Sequence, residues 1–279
     1  MTLQKSLILM IPSNLSLSLE RAAREIPRGA IGESLNCYYD AMESDDEDIA
    51  YELLQRAVAL DPGNADAWLE LMSFMPKLTT EQHLEVLENI VKRAAERLGG
   101  KMFQDGAGHF WGIHETRPYM RARAAYANAL YQAGRLTESC AEVDAMLQLN
   151  PNDNQGLRYR QISVALALGQ LDKVRTLLEQ NETEIRYNTV FAWAKVLERY
   201  LSGAMEEAIA QIKVAQQQNS HSLAYLLGHR KIPKNQPDRY SPGSKEEAIC
   251  FAEDLQTAWN AHLAAKMWLK SQKELSKSV

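Results

Sequence analysis

The sequence predicts an all-α fold built from consecutive pairs of antiparallel helices. Three glycines, Gly134, Gly169 and Gly203, follow one another at intervals of 35 and 34 residues. Each lies between two stretches whose apolar residues recur at helical spacing, and glycine ends a helix readily because it adopts positive φ. Asn150-Pro151 closes the second stretch of the central pair, since a residue before proline avoids the α region. This interval is typical of helical-hairpin repeats.

Residues 1–44 are expected to form an N-terminal cap or extension. Their one short apolar run, Leu7–Ile11, is broken by Pro12. It is too short to span a bilayer, and no convincing small-residue cleavage site for a secretory signal follows it. Short helices are predicted over Leu17–Ile26 and Gly32–Met42, because their apolar residues lie on one side.

Residues 45–265 are expected to form the repeat domain. Asp61-Pro62 follows an apolar-periodic stretch just as Asn150-Pro151 does, and Gly99-Gly100 ends a long one. The predicted helices outside the central pair are Ile49–Leu60, Ala65–Phe74, Glu81–Leu98, Gln155–Leu168, Leu171–Gln180, Thr189–Leu201, Met205–Gln218 and Leu223–Gly228.

The C-terminal part contains an irregular connector and one last helix. His229–Ser244 holds three prolines and several basic residues, which disfavours a regular element. Ser244 and Glu247 have capping-box spacing. The helix that they open is predicted to continue through Trp259 to Trp268 and to close the repeat array. Residues 266–279 are expected to be a polar C-terminal tail.

Composition narrows the class of protein. The net charge of −5 indicates neither a nucleic-acid-binding protein nor a membrane-binding one. The three cysteines, Cys37, Cys140 and Cys250, lie far apart and form no CxxC motif, which favours a reducing, cytoplasmic compartment. No cofactor signature is found, and the oligomeric state is left open.

The central pair resembles the tetratricopeptide repeat over Arg121–Pro151, although Ser139 and Met146 replace small residues of that pattern. Three blocks go further, HFWGIHETRPYMRAR, LNPNDNQGLRYR and AYLLGHRKIPKNQPDRYSPGSKEEA. Together they resemble tetratricopeptide proteins of the suppression-of-tumorigenicity-7 type, in a soluble bacterial form, over about residues 45 to 265. The resemblance implies a right-handed α-solenoid and a protein-interaction role, and it supplies no catalytic residues.

Candidate ligand-binding residues cluster around the central pair. Arginine side chains offer paired donors to a carboxylate or phosphate, and an asparagine on the first helix of such a repeat commonly contacts a ligand's backbone, by the same resemblance. The alternative is that these arginines are structural struts, paired for example with Glu115 or Glu142. The predicted partner-binding residues are Arg117, Arg121, Arg123, Asn128, Asn154 and Arg158.

A metal site is not expected in the loop before the central pair, because the spacing of His109, His114 and Glu115 fits neither a helical face nor HExxH. Trp111 and Tyr119 of the same region are expected to be largely buried against the long helix Glu81–Leu98.

The sequence favours an adaptor or scaffold that holds a protein or peptide partner, acidic if the arginines bind it, in a concave groove. One alternative is an enzyme with an anionic-substrate site in the His109–Arg123 and His229–Ser244 loops. The other is a structural subunit of an oligomer.

Overall fold

The fold is all-α. A computed structural model describes residues 29–235, 237 and 239–275, and every regular element in those ranges is a helix. The chain falls into two compact units, Met1–Gln155 and Gly156–Val279. The predicted helix Leu17–Ile26 lies outside the described residues.

Unit 1 consists of helices that pack against their neighbours in sequence, with three short 3-10 turns among them. Its α-helices are α1 (Ala30–Glu43), α2 (Glu47–Leu60), α3 (Ala65–Leu71), α4 (Thr80–Asp105), α5 (Arg117–Gln132) and α6 (Leu136–Leu149), and its 3-10 turns are Met72–Phe74, Phe110–Gly112 and His114–Thr116.

Helix α1 lies in the segment predicted as an N-terminal cap, and it pairs closely with α2. Ser34 Oγ donates to the carbonyl of Ala57 at 2.8 Å, and Asn64 Nδ2 donates to Ser34 Oγ at 2.9 Å. Both side chains are buried, so these bonds fix the approach of α1 to the end of α2. Among the described residues, the first helix pair therefore begins at Ala30.

The long helix α4 runs past the glycine pair that was predicted to end it. Thr79 and Gln82 form a reciprocal capping box at its start. Gly99 has φ 72° and ψ 156°, so the helix breaks there and resumes to Asp105. The glycine produces a kink, and the segment after it carries Phe103, whose ring packs against that of Phe110.

An aromatic cluster joins the end of α4 to the start of α5. The rings of Phe103, Phe110 and Tyr119 lie 5.2–6.1 Å apart in tilted and edge-on arrangements. Tyr119 is buried, as predicted, and Phe110 is fully buried. Trp111 is partly buried, less so than Phe110, with Arg117 over its ring. Phe110 is the ring of this 3-10 turn that lies against Phe103 and Tyr119.

Unit 2 repeats the pairing of helices and then adds two long C-terminal helices. Its elements are α7 (Leu157–Ala167), α8 (Leu171–Gln180), α9 (Glu182–Ile185), α10 (Thr189–Leu201), α11 (Met205–Gln218), α12 (Ser222–Leu226), α13 (Lys245–Ala261) and α14 (Leu263–Leu275). The bounds of α10 and α11 are those predicted from the sequence.

The three turn glycines make the same turn. Gly134, Gly169 and Gly203 have φ of 76°, 69° and 80°. In each case the residue after the glycine donates its N–H to the carbonyl five residues back, at 2.9 Å, and the glycine donates to the carbonyl three back. This is the hydrogen bonding of a glycine-ended helix. The predicted period thus corresponds to one repeated turn geometry.

The C-terminal region differs from the single helix that was predicted. His262 leaves helical geometry with φ −122° and ψ 69°, which separates α13 from α14. Its ring nitrogen lies 2.8 Å from the carbonyl of Leu166, and Trp268 stacks on Tyr200 with ring centroids 4.7 Å apart. Helix α14 thus covers most of the predicted polar tail, since Ala265 and Leu269 anchor it in the core of unit 2.

The burial pattern of the aromatic cluster gives a stability prediction. Phe110→Ala should lower the free energy of unfolding by about 3–5 kcal/mol, because it leaves a cavity between Phe103 and Tyr119. Trp111→Ala should cost distinctly less, since part of that ring is already in water. Chemical denaturation of both variants checks the order, and an equal or larger loss for Trp111→Ala would contradict it.

Candidate functional site

Arg121 forms a buried ion pair that joins α5 to α3. Its Nε and Nη2 donate to the two carboxylate oxygens of Asp66, at 2.7 and 2.5 Å. The exposed fractions of the two side chains are 3% and 8%. A buried bidentate ion pair of this kind is strong. Breaking it is unfavourable, because either charge left unpaired inside the protein is costly. Arg121 is therefore an internal strut of unit 1.

The surroundings of this pair disfavour an anionic ligand. Glu70 is partly buried near Asp66, and burial, with a smaller contribution from the Asp66 charge, raises its pKa to about 7. Burial also raises the pKa of Tyr38 well above its ordinary value, with Asp66 adding to the effect and Arg121 opposing it. Asp66, the partner of Arg121, thus has a second carboxyl group beside it. An incoming carboxylate would meet more negative than positive charge.

Arg123 and Arg117 are also engaged inside unit 1. Arg123 donates from Nε and Nη2 to Glu142 Oε2 at 2.9 and 2.6 Å, and its guanidinium lies 5.6 Å from the centre of the Tyr119 ring. The pairing of Arg123 with Glu142 was the predicted structural alternative. Arg117 donates to the carbonyl of Trp111 at 2.9 Å and covers its ring.

The other three predicted partner-binding residues are Asn128, Asn154 and Arg158. Asn128 is buried on α5, and Asn154 is exposed in the turn after Asp153, which has positive φ. In unit 2, Arg158 donates from Nη1 to Asn181 at 2.7 Å and to Glu184 at 2.9 Å, and so ties α7 to α9. A partner contact by any of the six residues stays a prediction. Burial leaves Arg121, Arg123 and Asn128 little surface for one.

In unit 2, helix α13 occupies the first-helix face, the surface formed by α7 and α10, which are the first helices of the pairs α7–α8 and α10–α11. The helix packs against α7, α10 and α12. Its buried residues recur at helical spacing, so one apolar side meets this face. They are Ala248, Ile249, Phe251, Ala252, Leu255, Ala258 and Trp259.

Trp193 is the centre of this interface. It lies on α10, it is fully buried, and its ring centroid is 6.4 Å from Phe251 and 6.3 Å from Trp259 of α13. Its Nε1 donates to Ser222 Oγ on α12 at 2.8 Å, which satisfies the one polar atom of the indole. Phe251 and Trp259 thus bracket Trp193 from the opposite helix.

Helix α13 leaves two of its own buried polar atoms unsatisfied. Glu253 Oε2 and Trp259 Nε1 are buried and have no hydrogen-bond partner among the described protein groups. A buried polar atom left unpaired in this way costs about 1–3 kcal/mol. The apolar fit of α13 on the first-helix face is thus opposed by a polar mismatch.

Carboxyl groups of α13 lie against Arg160 of α7. Burial raises the pKa of Asp254 to about 7, with Arg160 opposing the rise and Glu253 adding to it. Burial likewise raises the pKa of Glu253, and Arg160 opposes that rise. Arg160 is therefore the cation near both carboxyl groups. Because the pKa of Asp254 is about 7, this carboxyl is close to its titration point at neutral pH in the contact between α7 and α13.

The chemistry of this cluster does not resemble a nucleophile site. Burial, together with Asp254 and Glu253, raises the pKa of Cys250 to about 11, so its thiol is protonated at neutral pH. Burial also raises the pKa of Tyr240, with Cys250 and Glu247 contributing. In the part of the chain that the structure describes, no three His, Cys, Asp or Glu side chains are placed to hold a metal ion.

The connector before α13 presents a cationic surface. Arg230, Lys231, Lys234, Arg239 and Lys245 are all exposed, and Tyr240 between them has 55% of its surface exposed. Sequence reasoning favoured a solvated connector for this segment, over a nucleic-acid contact, and also gave it as half of an enzyme site.

Comparisons with known proteins place the chain in no family. No protein-family model matches it. A search of curated proteins likewise returns no similar sequence. The resemblance to tetratricopeptide proteins of the suppression-of-tumorigenicity-7 type stays a prediction. Of the helices in residues 29–275 that the structure describes, none combines the length and apolar character needed to cross a membrane.

The buried pair of Arg121 and Asp66 yields a direct test of the strut assignment. Arg121→Ala should lower the free energy of unfolding by about 3–5 kcal/mol, because Asp66 would remain buried without a counter-charge. Arg135→Ala, which breaks an exposed i,i+3 pair with Glu138, is the control and should change little. Equal denaturation midpoints for the two variants would show that Arg121 is not a strut.

The raised pKa of Asp254 predicts a pH-dependent stability. The folded chain retains a proton on Asp254 that the unfolded chain has lost, so stability falls as pH rises from about 3.8 toward 7. Asp254→Asn should therefore stabilise the protein by up to about 4 kcal/mol at pH 8, at about 1.36 kcal/mol per pKa unit, and give little gain near pH 4.

Denaturation at both pH values measures this difference. Glu85→Gln, an exposed change in the second turn of α4, is the matched control and should have no effect at either pH. A gain of Asp254→Asn that is independent of pH would contradict the assignment.

Proposed function

We propose that the chain is a protein-interaction adaptor, a tetratricopeptide-like solenoid whose first-helix face holds an amphipathic helix. The observation that carries the proposal is the packing of α13 against α7 and α10 in unit 2. The repeated glycine turns at intervals of 35 and 34 residues support the solenoid. Helix-in-groove binding is a common mode of peptide recognition, and here the chain supplies the helix.

Helix α13 is the resident occupant of the face, and a partner helix of the same pattern would compete with it. The connector 229–244 tethers α13, which keeps the helix at a high effective concentration near the face. The unsatisfied Glu253 Oε2 and Trp259 Nε1 lower the affinity of the resident helix. A partner helix that fills the Trp193 site without these two polar atoms would bind more favourably, once α13 is displaced.

A competition experiment tests the face as a helix-binding surface. The probe is a fluorescent peptide of residues 245–261, and the protein is the full chain carrying Leu255→Ala. Truncation of the fully buried Leu255 weakens the docking of α13 by about 2–5 kcal/mol and leaves the face itself unchanged. The variant should bind the peptide at least about tenfold more tightly than the wild-type chain, by fluorescence anisotropy.

Two controls define the outcome. Gln256→Ala changes an exposed residue of the same helix and should behave as wild type. A peptide carrying Phe251→Ala should bind neither chain well. The proposal fails if the Leu255→Ala chain stays helical by circular dichroism but binds no peptide. It also fails if α13 cannot be weakened without unfolding all of unit 2.

A further inference from the structure

The basic loop, residues 229–245, carries five exposed cations. Among the described residues, no carboxylate lies within ion-pair distance of Arg230, Lys231, Lys234, Arg239 or Lys245; Asp238 is outside that set. Elsewhere, many of the described arginines are paired with carboxylates. These matched pairs include Arg97–Asp61, Arg121–Asp66, Arg123–Glu142, Arg135–Glu138, Arg158–Glu184, Arg175–Glu198 and Arg199–Glu207.

The loop is fastened to unit 2 at both ends. The N–H of Arg230 donates to the carbonyl of Ala224 at 3.0 Å, and its guanidinium lies 6.0 Å from the Tyr225 ring centre. Ile232 packs against the core of unit 2. At the other end, Gly243 N donates to Glu247 Oε2 at 2.7 Å.

Three prolines restrict the segment between these anchors. Arg230 and Lys245, at the two ends of the loop, thus have backbone positions fixed by the fold, so less backbone entropy is lost when a ligand binds them.

The charge balance of the chain decides which anion fits. The basic loop has five Lys and Arg and one Asp, a net charge of +4, so the rest of a chain of charge −5 carries −9. A long nucleic acid or a flat anionic membrane would extend beyond the loop onto that acidic surface, beginning with the exposed Glu246. A short acidic peptide would lie mainly against the cations, with Tyr240 available to pack beside it.

We propose that the basic loop is a docking surface for a short acidic peptide segment of a partner protein. The inference rests on the proposed adaptor function and deepens it by naming the chemistry of the partner. It moves the expected acidic partner away from the arginines of α5, which are paired inside unit 1, to lysines and arginines that project from unit 2. Contacts of this exposed kind act through long-range attraction and weaken as salt screens them.

The test measures binding of a fluorescent Asp- and Glu-rich peptide of about ten residues, which spans about 33 Å when extended. The full chain should bind it with an affinity that falls as salt rises. The charge-reversal variant Lys231→Glu with Lys234→Glu should bind at least about tenfold more weakly. The matched control is Lys213→Glu with Lys270→Glu, the same charge change at two exposed lysines of unit 2, which should stay within about twofold of wild type.

Each other outcome is decisive. Failure of the wild-type chain to bind the peptide, or equal losses in the two variants, overturns the inference, because the effect would then be absent or due to net charge alone. Tighter binding of a single-stranded oligonucleotide or of phosphatidylserine vesicles, lost in the same loop variant, overturns the assignment to a peptide. The loop variant should still accept the 245–261 helix peptide when Leu255→Ala is added, so failure here alone leaves the helix-binding proposal standing.

Discussion

The burial of Trp193 by α13 is the interaction on which unit 2 depends. Trp193 lies on the first helix of a pair, and Phe251 and Trp259 of α13 cover it. A buried tryptophan removes about 150–250 Å² from water, which is worth about 4–6 kcal/mol at about 25 cal/mol per Å². Without α13 this surface would be an exposed apolar face, and a protein must cover such a face with its own chain or with a partner. In this structure the chain's own helix α13 covers the face, and the proposed function is that a partner helix can replace it.

The positive charges fall into two groups, those paired inside the units and those exposed on the basic loop. Inside the units, arginines join helices through carboxylates, as Arg121 does with Asp66 and Arg158 with Glu184. These pairs hold successive helices in fixed positions and leave no charge for a ligand. The basic loop is different, because its cations are exposed and it leads directly into α13. An acidic segment bound there would lie next to the start of the resident helix, so one partner could contact both the loop and the first-helix face.

The sequence predicted the helices well and the contacts poorly, for physical reasons. Gly203 imposes the turn between α10 and α11, so the end of α10 and the start of α11 could be read without tertiary information. The partner of Arg121 is 55 residues away, and Asp66 looked like an ordinary acidic residue in a helix's first turn. The break at His262 depends on its contact with Leu166, which no local pattern encodes. Trp111 is less buried than Phe110, its neighbour in the same 3-10 turn, and the local pattern did not distinguish the two rings. The apolar spacing of α13 was visible, but the surface that it covers was not.

Native-state hydrogen exchange tests the central claim most directly, because it measures whether α13 leaves the first-helix face while that face stays folded. The account predicts that the amides of α13 around Leu255 exchange through a partial opening, at a lower free energy than the amides of α7 and α10 and with little dependence on denaturant. Exchange of all three helices at one common free energy, equal to that of global unfolding, would contradict it, since α13 would then be an inseparable part of the core.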